Sequence, residues 1–144
     1  PGYSGMIDPE NVPPVADIEL LARFATQSGQ FRRSDFTVKQ DLFMPHPRRE
    51  LSVMRHRDAS MDEIWQVGHS ISSELGRTLY GRADIRAAAC NIEGLRAVAR
   101  PIPLKNPNHA DIEGWPASTE DKKALALKLA AAASKLIAPP TATQ

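Results

Sequence analysis

His109, Asp111 and Glu113 stand two residues apart in His109-Ala110-Asp111-Ile112-Glu113. Period-two spacing puts their side chains on one face of a strand and leaves Ala110 and Ile112 to the other. A histidine flanked by carboxylates holds its proton more tightly and can serve as a general acid or base, so His109 is the candidate catalytic residue. The bland alternative is the wet face of an edge strand. Trp115, beside Pro116, could roof a shallow pocket next to His109, although a tryptophan there also plugs the margin of a core. Arg55 ends the stretch Leu51-Ser52-Val53-Met54-Arg55. At a strand end it could grip a phosphate or carboxylate with paired N–H bonds. Arg55 as anion anchor and His109 as acid or base would make an enzyme site for a nucleotide or other phosphorylated ligand, provided the three residues converge.

A second chemistry lies in charge. The chain carries a net +1, but Arg32, Arg33, Lys39, Arg48, Arg49, Arg55 and Arg57 face only Asp35, Asp41 and Glu50 between positions 32 and 57. That surplus could bind the phosphates of a nucleic acid through Arg32, Arg33, Arg48, Arg49, Arg55 and Arg57. Equally, it could pair with the acidic remainder of the same protein.

Other chemistries find less footing. His46, His56, His69, His109 and the single Cys90 show no metal-ligand spacing, so no metal is expected. No glycine-rich phosphate loop or dinucleotide fingerprint occurs, and no cofactor is expected. None of Ser34, Ser52 and Ser70 sits on a nucleophile elbow. Cys90 closes Ala87-Ala88-Ala89-Cys90 and reads as a small buried hydrophobe.

The elements that must position these residues follow from periodicity. Ser60 and Glu63 have capping-box spacing, and Met61, Ile64, Trp65, Gly68, Ile71 and Leu75 fall on one side of the helix they open. Leu51 to Arg55 reads as the strand before it. Helices are also expected over 15–26, 82–91 and from Ser118 to Leu136; strands are expected over 95–100 and 109–113. The last two could pair antiparallel across an eight-residue connection that holds the Asn106-Pro107-Asn108 turn. Residues 30–47 read as irregular chain with one or two brief strands.

Several of these pieces, namely Leu-Ser-Val-x-Arg (51–55), Glu-Ile-Trp (63–65), Tyr-Gly-Arg-Ala-Asp-Ile (80–85) and His-Ala-x-Ile-x-Gly-Trp-Pro (109–116), together resemble a group of small bacterial proteins of unknown function. The resemblance spans about residues 20–137. It implies a bacterial cytosolic protein and brings no activity with it.

At 144 residues, 42% apolar and 24% charged, the chain suits one soluble globular domain without disulfides. The expected architecture is α+β, a small, mostly antiparallel sheet packed against about four helices. Its expected divisions are a proline-broken arm over 1–14, a domain over 15–138 and a tail over 139–144. Lacking a membrane-length apolar run or a secretory leader, it is expected in the cytoplasm. The leading functional expectation is a non-catalytic binding or accessory protein working through a protein partner or self-association. The phosphorylated-ligand enzyme and the nucleic-acid module stand as alternatives.

Overall fold

Alternation of side chains across a pleated backbone organises this molecule. The computed structural model describes residues 12–47 and 50–141. Strands β1 (Leu20–Ala25), β2 (Leu51–Arg55), β3 (Gly81–Arg86), β4 (Arg96–Ala99) and β5 (His109–Glu113) form one sheet in the order β3-β1-β2-β5-β4. Every pairing is antiparallel, with Leu21 opposite Arg55, Met54 opposite His109 and Ala97 opposite Ile112. The fold is therefore α+β, and the two late strands pair as their spacing predicts.

The helix expected over 15–26 is instead β1. Leu21 and Ala25 join the main core, whereas Ala22 and Phe24 join a second core on the opposite face. A strand buried on both faces reads as an unbroken apolar run, which a short helix also gives. The helix expected over 82–91 resolves into β3 and the single turn α2 (Ala87–Cys90). Here Ala83 and Ile85 face the main core while Arg82 and Asp84 face the other way. With α1 (Met61–Leu75) and α3 (Thr119–Ala132), the described residues hold three α-helices rather than about four. Residues 30–47 contain a 3-10 turn at Gln40–Phe43 and an isolated bridge from Phe31 to Val38.

Both long helices start as their sequence requires. Ser60 accepts from the Glu63 N–H at 3.1 Å and the Glu63 carboxylate accepts from the Ser60 N–H at 2.9 Å. Ser118 accepts from the Asp121 N–H at 3.1 Å. Helix α3 covers one face of the sheet through Leu125 and Leu129. On the other face α1 carries the chain over β1, from β2 to β3, and seats Ile64 and Val67 on Ala22, Phe24 and Met54.

Both sheet edges are blunted, which guards against uncontrolled pairing. Beyond α3 the chain returns along β3, and Arg82 and Ile137 exchange backbone hydrogen bonds of 3.0 and 2.8 Å. Gly81 permits that approach, since a Cβ there would lie 2.4 Å from the Ile137 carbonyl oxygen. On β4 the Asn91 side chain takes up the Ala97 N–H at 2.9 Å.

Gly68 sets the depth at which α1 sits. A Cβ there would come within 2.7 Å of the Phe24 ring and 3.3 Å of Leu79. Gly68→Ala gains about 1 kcal/mol of helix propensity but forces α1 off a packed ring, at about 1–3 kcal/mol. We expect a net loss of about 1 kcal/mol, read as a lower urea midpoint at unchanged slope. A rise in the midpoint would mean that α1 does not rest on Phe24.

Candidate functional site

Arg55 is the most deeply placed charge in the sheet. Its side chain is 0% exposed and meets a Glu19 carboxylate that is 7% exposed. The Nε and Nη2 groups donate to the two Glu19 oxygens, each at 2.7 Å. Nη1 donates to the Pro13 carbonyl at 2.9 Å and Nη2 also to that of Pro14 at 3.3 Å. Burial on its own would raise the Glu19 pKa, but the Arg55 hydrogen bonds and the Ala16 N–H together bring it below the ordinary glutamate value. A guanidinium occupied in this way has no fork left for a ligand. The expectation of Arg55 as an anion anchor is therefore corrected: it clasps the base of the N-terminal arm. Residues 1–11 of that arm lie outside the described residues.

His109 occupies the other face. It pairs with Met54 in the ladder, so adjacent Arg55 projects to the opposite side. Because a carbonyl can only accept, His109 Nδ1 must donate its proton to the Arg100 oxygen, 2.9 Å away. Nε2 then faces Asp111 Oδ1 at 3.5 Å. Burial raises the Asp111 pKa, and Glu50 and Glu113 push the same way, while His109 and the Ser52 hydroxyl at 3.4 Å pull it down. Glu113 turns aside to a bidentate pair with Arg100 at 2.8 and 3.0 Å. Strand β5 is flanked by β2 and β4, so this is not the wet face of an edge strand.

Trp115 lies in the main core with its Nε1 donating to the Ile112 carbonyl at 2.8 Å. It follows the far end of β5, whereas the Arg55 N–H bonds the Asn108 carbonyl at the near end. Arg55, His109 and Trp115 thus do not line one pocket.

The basic stretch is divided as well. Arg32 and Arg33 are exposed, and Arg32 shares a groove of about 540 Å³ with Lys39 and Lys135 beside α3. Arg57 is exposed, 3.8 Å from Asp58. Arg48 and Arg49 lie outside the described residues. With Arg55 buried, the stretch does not present its arginines as one row. No cluster of three or more metal-type ligands occurs among the described residues. Burial pushes the Cys90 thiol up to about 12, leaving it inert as a nucleophile.

Two features had no motif to announce them. The first is a polar network between the sheet and the start of α1. His56 Nε2 meets Asp84 Oδ1 at 2.9 Å, Arg82 donates to both Asp84 oxygens at 3.1 and 3.3 Å, and the Arg82 guanidinium stacks 4.8 Å over Trp65. The second is a cleft under the far half of α1, made of adjoining cavities of about 120 and about 200 Å³. Ser52, Ile71, Asn106 and His109 line both. The signal for the cleft was Arg23, a lone charge inside the apolar run Leu-Leu-Ala-Arg-Phe-Ala.

The network yields a pH dependence. Burial would raise the Asp84 pKa, but the His56 and Arg82 bonds hold it below its ordinary 3.8. A depressed folded value means that Asp84 stabilises the fold fully above pH 3.8 and loses that contribution as pH falls through the lower folded value. Asp84→Asn should cost about 2–3 kcal/mol at neutral pH, and its gap from wild type should narrow on the acid limb. Denaturation midpoints across pH 2–7 check this; a gap that stays constant below pH 3 would refute it. Comparison of the chain with protein-family models, curated proteins and solved structures returned no match.

Proposed function

We propose that this protein is a non-catalytic binding protein that acts through contact with a protein partner. The observation that carries the reading is Leu104. It is 90% exposed at the tip of the loop between β4 and β5, and its backbone sits at φ +67°. A left-handed leucine costs about 1–2 kcal/mol, and holding its side chain in water adds to that. Such a cost is sensible where a partner covers the residue.

Its surroundings support the same reading. Ile102 and Asn106 bridge the base of the loop, and Lys105 joins Glu74 of α1 at 2.7 Å, so the tip is held against the helix. Ile102 on the loop and Leu75 on α1 are 40% and 53% exposed, although the helical spacing of Leu75 predicts an inward position. Nearby Ile71 and Val67 extend this apolar rim toward the second core. A cytoplasmic setting rests on the lone buried Cys90, and no helix among the described residues is long and apolar enough to cross a membrane. The phosphorylated-ligand enzyme has less support, because its proposed anchor is already saturated by Glu19. The nucleic-acid reading has less too, because its arginines are divided.

Leu104→Asp tests the proposal. Aspartate tolerates left-handed backbone better than leucine, so folding stability should hold or rise by up to about 1 kcal/mol. Complexes captured by crosslinking in the source cell, together with light scattering of the pure protein, should show an associated partner or second copy for wild type and its loss in the variant. A wild-type chain that is monomeric and partner-free, or one whose complex survives Leu104→Asp, would contradict the reading.

A further inference from the structure

We propose that the cleft beneath α1 is a binding site for a small aliphatic carboxylate, its head on Arg23 and Arg77 and its tail between Ile71 and Ile102. This site adjoins the Leu104 surface and shares Ile71, Ile102 and Val67 with its rim, but Leu104 itself is no part of it.

Arg23 carries the argument. It stands on the Leu21 and Ala25 side of β1, opposite α1, and lines the cleft through the gap where the sheet comes apart: β1 pairs with β2 at Leu21 and Ala22, and no further pairing of the two strands follows. Its Nε donates to the Leu42 carbonyl at 2.8 Å and its Nη1 to the Ser52 carbonyl at 3.0 Å. Those two bonds fix the plane of the guanidinium. Nothing neutralises it, because Arg23 makes no ion pair among the described residues. Burial pushes it down to about 10, so it keeps its charge at neutral pH in surroundings that disfavour charge. A half-buried cation without a counter-charge favours an incoming anion.

The walls of the cleft define which anion. The cavity of about 120 Å³ is lined by Arg23, Arg77 and His109 and by no carboxylate. A space this small, with Arg23 and Arg77 in its lining, suits a carboxylate and leaves little room for a bulkier head. The adjoining cavity of about 200 Å³ changes character. Val67, Ile71 and Ile102 form its walls, and its two charged residues, Glu74 and Lys105, are paired with each other. An aliphatic chain fits against these walls because removing it from water is favourable. Head and tail chemistry thus lie end to end, meeting at His109 and Asn106.

The test is titration of the full chain at neutral pH with octanoate, octan-1-ol and inorganic phosphate, followed by calorimetry and by the Arg Nε–H resonances. Octanoate should bind saturably at one site and shift the Arg23 Nε–H signal. Arg77→Met should weaken it by about tenfold, and octan-1-ol and phosphate should each bind at least about tenfold more weakly than octanoate. Arg23→Lys, which keeps the charge but loses the fork, should weaken it further; if that variant fails to fold, Arg77→Met still decides. Leu104 lines neither cavity, so Leu104→Asp should leave octanoate binding intact even where it abolishes the protein contact. Absence of saturable octanoate binding would overturn the proposal. So would unchanged affinity in Arg77→Met, or equal binding of octanol or of phosphate.

Discussion

A single buried ion pair fixes how this chain enters its sheet. Arg55 and Glu19 meet through two parallel N–H···O bonds at the point where β1, β2 and the start of β5 come together. Glu19 immediately precedes β1, so gripping it sets the register in which Leu21 lies opposite Arg55. The carbonyls of Pro13 and Pro14 lack any strand partner and are satisfied by the same guanidinium. One side chain therefore serves two strands and an otherwise irregular segment. Such a pair is costly to break: loss of either member leaves a buried charge unmatched, worth about 3–5 kcal/mol.

The opposite face is built by a different compromise. Helix α1 is tied down at its start by the Arg82–Trp65 stack and in its middle by Gly68 on Phe24. Farther along it passes over His109 and Ser52, which offer polar surface where a core would offer apolar surface. The helix cannot close on them without burying polar groups, and a cleft remains. That cleft and its apolar rim follow from the same fact: polar β5 residues face a helix whose buried stripe runs out before its end.

How much of this was legible depended on how far the causes lay apart in sequence. The Ser60–Glu63 box, the Ser118 cap and the alternation of 109–113 are local patterns, and each appears as its residues dictate. The strand 20–25 was hidden because both faces are covered, which erases the alternation that marks a strand. Arg82 to Arg86 was hidden by the alanines after it, which lend a helical cast to a strand alternating Arg82, Asp84 and Arg86 with Ala83 and Ile85. At the candidate site, the shared face of His109 and Asp111 could be read. That Arg55 faces away from them follows only from the pairing of Met54 with His109, 55 positions along. Glu19, the partner of Arg55, lies 36 positions away, and no local spacing links the two.

The central claim is that Arg55 is a structural clasp, and a double-mutant cycle in chemical denaturation tests it most directly. Arg55→Met and Glu19→Leu should each lose about 3–5 kcal/mol, whereas the double variant should lose far less than the two together, because neither charge is left unmatched. Additive losses, or an Arg55→Met variant that folds within about 0.5 kcal/mol of wild type, would contradict the account.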